Sequence, residues 1–80
     1  MRELNTIPDT ALVTACVAAA TCGLHIATWH ANVRAGTVPP HTCYIGRYKR
    51  WNMGMIRAFC EGRYRQFPDG TWAYDQEWAA

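Results

Sequence analysis

From Thr10 to Ala31 the chain contains no aspartate, glutamate, lysine or arginine. An uncharged stretch of this length must bury a face, either in a protein core or in a bilayer. Leu12, Cys16, Ala20 and Leu24 recur every four residues, flanked by Val13 and Val17. That spacing draws one helical stripe, which Ala27 and Ala31 continue and Ile26, Trp29 and Val33 widen. A membrane span wants about 20 mainly apolar residues with large aliphatic side chains. Here Thr10, Thr14, Thr21, Thr28, His25, His30 and many alanines dilute the run, so the expectation is a buried helix of a soluble domain, with no membrane partner. Thr6 can cap its start, with Pro8 in the first turn and Asp9 three residues beyond the cap. Arg34, Gly36 and Pro39-Pro40 mark its end. Unbroken, such a helix would run about 43 Å at 1.5 Å per residue, long for so small a domain. Gly23 is the natural break, which leaves one long helix or two segments divided near Gly23.

The 80 residues allow one domain, residues 1–80, with half of them apolar and 12% aromatic, too apolar for disorder. Thr37 to His41 reads as a linker. Beyond it, turn signals recur at Asn52-Met53-Gly54, Glu61-Gly62 and Pro68-Asp69-Gly70, with aromatic and β-branched residues between them. This predicts an antiparallel meander and hence an α+β fold, the N-terminal helix packed on a small sheet. Phe67-Pro68-Asp69-Gly70-Thr71 suits a type I turn with a glycine bulge. Counting back from it, Tyr64 faces Tyr74, Gln66 faces Trp72 and Arg63 faces Asp75, with Arg65 beside it. Upstream, Ile56, Ala58 and Cys60 alternate with Arg57, Phe59 and Glu61, which reads as another strand. That strand would put Arg57, Phe59, Arg63 and Arg65 on one exposed face. Cys43 to Trp51 reads as strand, although Tyr44, Tyr48, Trp51, Met55 and Phe59 also fit helical spacing; Gly46 and Gly54 weaken the helix. The expected core is Leu12, Val13, Cys16, Val17, Leu24, Ile56, Cys60, Tyr64, Trp72 and Tyr74.

Cys16, Cys22, Cys43 and Cys60 could form two disulfides in an exported protein. The N-terminus makes a poor export signal, because Arg2 is offset by Glu3 and Asp9. Val13-Thr14-Ala15-Cys16 resembles a lipoprotein cleavage box, but only Ala11 and Leu12 precede it as apolar run. Free thiols in the cytoplasm of a bacterial host are the expectation. Cys22 and His25 share a helical face, and His41 with Cys43 would complete a tetrahedral zinc set. The spacing matches no finger or ribbon, so no metal or other cofactor is expected. The chain has no serine, no glycine-rich phosphate loop and no paired acids for hydrolysis, which argues against an enzyme.

Charge is uneven. In residues 47–65, Arg47, Lys49, Arg50, Arg57, Arg63 and Arg65 oppose Glu61 alone, a net +5. Residues 1–46 balance to zero, and Asp69, Asp75 and Glu77 give the tail −3. Every aromatic residue except Trp29 lies in the second half. Arginine and lysine meet phosphates or carboxylates, and exposed aromatics stack on bases or anchor protein interfaces. The candidate contact residues are therefore Arg47, Tyr48, Lys49, Arg50, Trp51, Arg57, Phe59, Arg63 and Arg65. The plainer alternative is a solvated sheet face with arginine stems lying over an aromatic core. Two partner classes fit the surface, an acidic protein and, as runner-up, a nucleic acid. The oligomeric state stays open.

In size, in its helix-plus-sheet plan and in the charged face of Arg47, Lys49, Arg50, Arg57, Arg63 and Arg65, the chain resembles the small phage- and mobile-element-encoded anti-CRISPR proteins. Its alanine-, arginine- and tryptophan-rich composition is similar to that of phages of GC-rich bacteria. These proteins share no common motif, so the resemblance covers general character. It implies an inhibitor that docks on a subunit of a type I CRISPR surveillance complex (Cascade) and blocks target DNA binding, without cofactor or catalysis.

Overall fold

The computed structural model describes residues 6–75. The order of elements is β1 (Leu12–Val13), α1 (Ala15–Thr21), α2 (Ile26–Ala35), β2 (Cys43–Ile45), β3 (Tyr48–Asn52), α3 (Met53–Cys60), β4 (Tyr64–Gln66) and β5 (Trp72–Tyr74). The fold is α+β, with an N-terminal helical region and small antiparallel sheets. One sheet has three strands in the order β1-β3-β2; β4 and β5 form a separate pair. No helix among the described residues is long and apolar enough to cross a membrane.

The helical stripe is divided where glycine allows it. Gly23 adopts φ 72°, and the amides of Gly23 and Leu24 turn back to the carbonyls of Ala20 and Ala19 at 3.1 and 2.8 Å. This bond pair satisfies carbonyls that a helix end leaves open. Gly36 and Gly62 close α2 and α3 with the same pair of bonds, to Val33 and Asn32 and to Phe59 and Ala58. His25 starts α2, its Nδ1 accepting from the Ala27 amide at 3.1 Å.

The helix start differs from the expectation at Thr6. Thr14 is the N-cap, accepting from the Val17 amide, and the residues before it are drawn into the sheet. Leu12 pairs with Asn52 and Val13 with Trp51. The carbonyls of Ala11 and Asp9 then accept from the amides of Met53 and Gly54, both at 2.9 Å. Those two amides open α3 and have no partner within their own helix. Long-range pairing thus overrides the local cap signal.

The strand expected through Ile56 to Glu61 is instead helix α3. Asn52 ends β3 and caps α3 at once, its Oδ1 accepting from the Met55 amide at 2.9 Å. The helix buries Met53, Met55, Ile56 and Ala58, so the parity that put Arg57 and Phe59 on one sheet face with Arg63 and Arg65 does not exist. Cys43 to Trp51 does form strands, β2 and most of β3. The last hairpin has the expected register, Tyr64 opposite Tyr74 and Gln66 opposite Trp72. Its loop closes through the Phe67 amide to the Thr71 carbonyl at 2.8 Å.

The core consists of Val13, Ala18, Ala19, Trp29, Val38, Trp51, Met53, Met55 and Ile56. Trp29 and Trp51 meet edge to face, with centroids 5.5 Å apart, a favoured aromatic geometry. Val17, Leu24 and Tyr64 pack against this cluster. Leu12, Cys16, Cys60 and Tyr74, expected inside, are exposed, and Trp72 is half-buried. Leu12 alternates with Val13 across a two-residue strand, so only one of them can face the core.

Candidate binding surface

The antiparallel pair β2–β3 projects as a tight hairpin. Ile45 pairs with Tyr48, leaving Gly46 and Arg47 as a two-residue loop. Gly46 has φ 63°, and glycine in the first loop position matches the twist of flanking strands. The hairpin is rich in exposed aromatic and basic side chains. Tyr44 is 56% exposed, Ile45 50% and Tyr48 61%. The guanidiniums of Arg47 and Arg50 lie 6.0 and 5.8 Å from the Tyr48 ring centroid, within cation–π range. Arg50 also donates to the Lys49 carbonyl at 3.1 Å.

Beside the hairpin runs an open groove of about 560 Å³. Ile26, His30 and Val33 form one side of it, a single face of α2, with Ala15 and Cys16 at the start of α1. Arg47, Tyr48, Lys49 and Arg50 form the other side, and Trp51 lies between them. Trp51 is 2% exposed, and its indole N–H donates to the Pro39 carbonyl at 3.0 Å. It is therefore a core residue at the base of the groove, and not the projecting anchor that the sequence suggested.

The nine candidate contact residues do not share one surface. Arg47, Tyr48, Lys49 and Arg50 are together on the hairpin. Arg57 is in α3 and pairs with Asp9 at 2.6 Å. Phe59 is half-buried and meets Trp72 edge to face at 5.8 Å. Arg63 pairs with Glu61, and this bond holds the guanidinium above its ordinary range. Arg65 donates from Nε to Asp75 at 2.8 Å and stacks on Phe67, 4.3 Å from the ring centroid. Three of the six cations are thus matched by carboxylates within the chain. Among the described residues, no carboxylate pairs with Arg47, Lys49 or Arg50.

Around Trp72 lies an aromatic cluster. Tyr64 stacks on Trp72 at 6.0 Å and meets Tyr74 edge to face at 4.9 Å. Burial, with Tyr74 beside it, raises the Tyr64 phenol. This cluster meets the end of α3 through the Phe59–Trp72 contact.

The four zinc candidates are not assembled. His25 caps α2, His41 meets the Tyr44 ring edge to face at 4.6 Å, and Cys22 lies against Cys60. Among the described residues, no group of three histidine, cysteine or acidic side chains is arranged to hold a metal ion.

Sequence reasoning missed the groove wall of Ile26, His30 and Val33. In the sequence Ile26 and Val33 only widen the helical stripe and His30 only dilutes the apolar run, so their common face, spaced by four and three, carries no separate signal. No family model, curated protein or solved structure matches the chain.

Proposed function

We propose that the chain is a stoichiometric binding protein, acting without catalysis in the cytoplasm of a bacterial host, and that the β2–β3 hairpin with its groove is the contact surface. One observation carries this reading. Arg57, Arg63 and Arg65 are neutralised within the chain, whereas Arg47, Lys49 and Arg50 stand on an exposed aromatic hairpin with no carboxylate partner among the described residues. Unmatched charge of one sign around exposed tyrosines favours an acidic partner. The groove between Trp51 and the α2 face offers apolar area for an anchoring side chain from that partner.

In its most specific form the partner is an acidic surface on a subunit of a type I CRISPR surveillance complex. The protein would then be a phage-type inhibitor that blocks target DNA binding by occupation. The proposed contact differs from the one expected of the sequence, because it rests on Arg47, Tyr48, Lys49 and Arg50 in place of Arg57, Arg63 and Arg65. Tyr48, exposed and flanked by two guanidiniums, also favours a second reading, a nucleic-acid module in which the ring stacks on a base.

The deciding experiment uses the Arg47→Glu/Lys49→Glu double variant beside the native protein. Both are tested for binding to purified surveillance complex and, by fluorescence anisotropy across a salt series, to short DNA and RNA. The inhibitor reading expects complex binding that weakens at least about tenfold in the variant, mainly through slower association. Nucleic-acid binding with a steep salt slope, made shallower by the variant, establishes the second reading instead. Undiminished binding by a folded variant removes the hairpin from either account.

A further inference from the structure

Cys22 and Cys60 are 38 residues apart in sequence and come from different helices, yet their sulfurs are 3.0 Å apart. Cys22 is the C-cap just past α1, and Cys60 is the last residue of α3. These two helices pack against each other through the core, so neither sulfur is carried by a free loop. Cys60 is exposed and Cys22 half-buried, and both line an open cavity of about 450 Å³ beside Leu24, Val38 and Phe59. Neither Cys16 nor Cys43 has a second sulfur in contact among the described residues.

We propose that Cys22 and Cys60 are a modification site, a dithiol that closes reversibly into an intramolecular disulfide by exchange with a small disulfide such as oxidised glutathione. The covalent S–S length is about 2.05 Å, so closure asks for about one ångström of movement from the present contact. Exposure assigns the order of events. The Cys60 sulfur, as thiolate, attacks one sulfur of the oxidant, whose S–S bond breaks and releases the first thiol. The Cys22 sulfur then attacks Cys60 Sγ, forms the internal bond and expels the second thiol. Both protein thiol protons end on the two released thiols, and the oxidant takes up the two electrons.

Cys22 is suited to the second role. Its thiol is pushed up to about 12, first by burial and then by the hydrogen bond and charge of Cys60. The last two causes vanish once Cys60 is held in the mixed disulfide. Burial, the largest cause, stays in force, so Cys22 is held back while Cys60 is free and eased only in part once Cys60 has reacted. In a reducing compartment the pair stays open, and such cytosolic pairs are usually transient or redox-sensing.

The test exposes the native protein to oxidised glutathione, quenches with acid and reads intact mass and peptide maps. The expected product has lost 2 Da and yields one linked peptide pair containing Cys22 and Cys60. The Cys16→Ser/Cys43→Ser variant should give the same product, and reduced glutathione should reverse it. Cys60→Ser, at an exposed position, should fold and lose the product. Cys22→Ser should accumulate the glutathione adduct on Cys60. A stable glutathione adduct on native Cys60 without closure, or linkage through Cys16 or Cys43, overturns the proposal.

Discussion

A Cβ placed on Gly54 would lie 3.1 Å from Asp9 Cβ and 3.2 Å from the Asp9 carbonyl oxygen. That carbonyl accepts from the Gly54 amide itself, so it cannot retreat without breaking the bond. Alanine would gain up to about 1 kcal/mol of helix propensity, against about 1–3 kcal/mol for overpacking. We expect Gly54→Ala to be net destabilising by about 1 kcal/mol, read as a lower urea midpoint with an unchanged slope. Asp69 gives a second single-residue prediction. Its carboxylate accepts from both the amide and the hydroxyl of Thr71, at 3.0 and 2.7 Å, and these bonds hold it below its ordinary value of 3.8. A depressed carboxylate contributes to stability above the unfolded-chain value and loses that contribution as pH falls through the folded one. The Thr71 amide resonance should therefore titrate with a midpoint below 3.8, and removing the hydroxyl in Thr71→Val should move that midpoint upward.

Among the elements, α3 most clearly separates local from tertiary information. Asn52-Met53-Gly54 carries a turn signal, and the same asparagine chemistry makes an N-cap: in both, the side-chain oxygen takes a nearby backbone amide. Asn52→Ala should cost about 1 kcal/mol by removing the Met55 bond, and thermal unfolding by circular dichroism should show the loss. The hairpin β4–β5 was legible down to its register, since its loop chemistry and side-chain alternation are local and agree. The break at Gly23 was legible only as one of two alternatives, the other being an unbroken helix. The start of α1 was not, because Thr6, Pro8 and Asp9 make a sound local cap that pairing of Leu12 and Val13 with β3 overrides. Of the candidate contact residues, the run from Arg47 to Arg50 is singled out in the sequence by charge density and interleaved aromatics. Density could not reveal that Arg57 would meet Asp9, 48 residues away, whereas the hairpin register already placed Arg65 near Asp75. It could not reveal either that Trp51 would turn inward against Trp29.

Over the molecule as a whole, several supports link the N-terminal region to α3, among them the amides of Met53 and Gly54 donating to the Ala11 and Asp9 carbonyls, the Arg57–Asp9 ion pair and the sulfur contact of Cys22 with Cys60. Oxidation of that pair would close a ring of nearly half the chain. In the chain-entropy account this stabilises by about 3–4 kcal/mol, and for so small a domain each kcal/mol moves Tm by about 4–8 °C. Scanning calorimetry of the oxidised and reduced forms should therefore show the oxidised one melting higher by on the order of 15 °C, while Cys60→Ser shows no such difference. Placing Trp51 at the groove base has an optical consequence. The indole meets Trp29 edge to face within the core while its own surroundings form part of the proposed binding surface. A ligand that fills the groove changes the environment of a chromophore that is otherwise sealed, so tryptophan emission can follow occupancy without any label. A Trp72→Phe variant would remove the half-buried indole of the β4–β5 cluster and sharpen that signal, letting the molecule report its own binding in ultraviolet light.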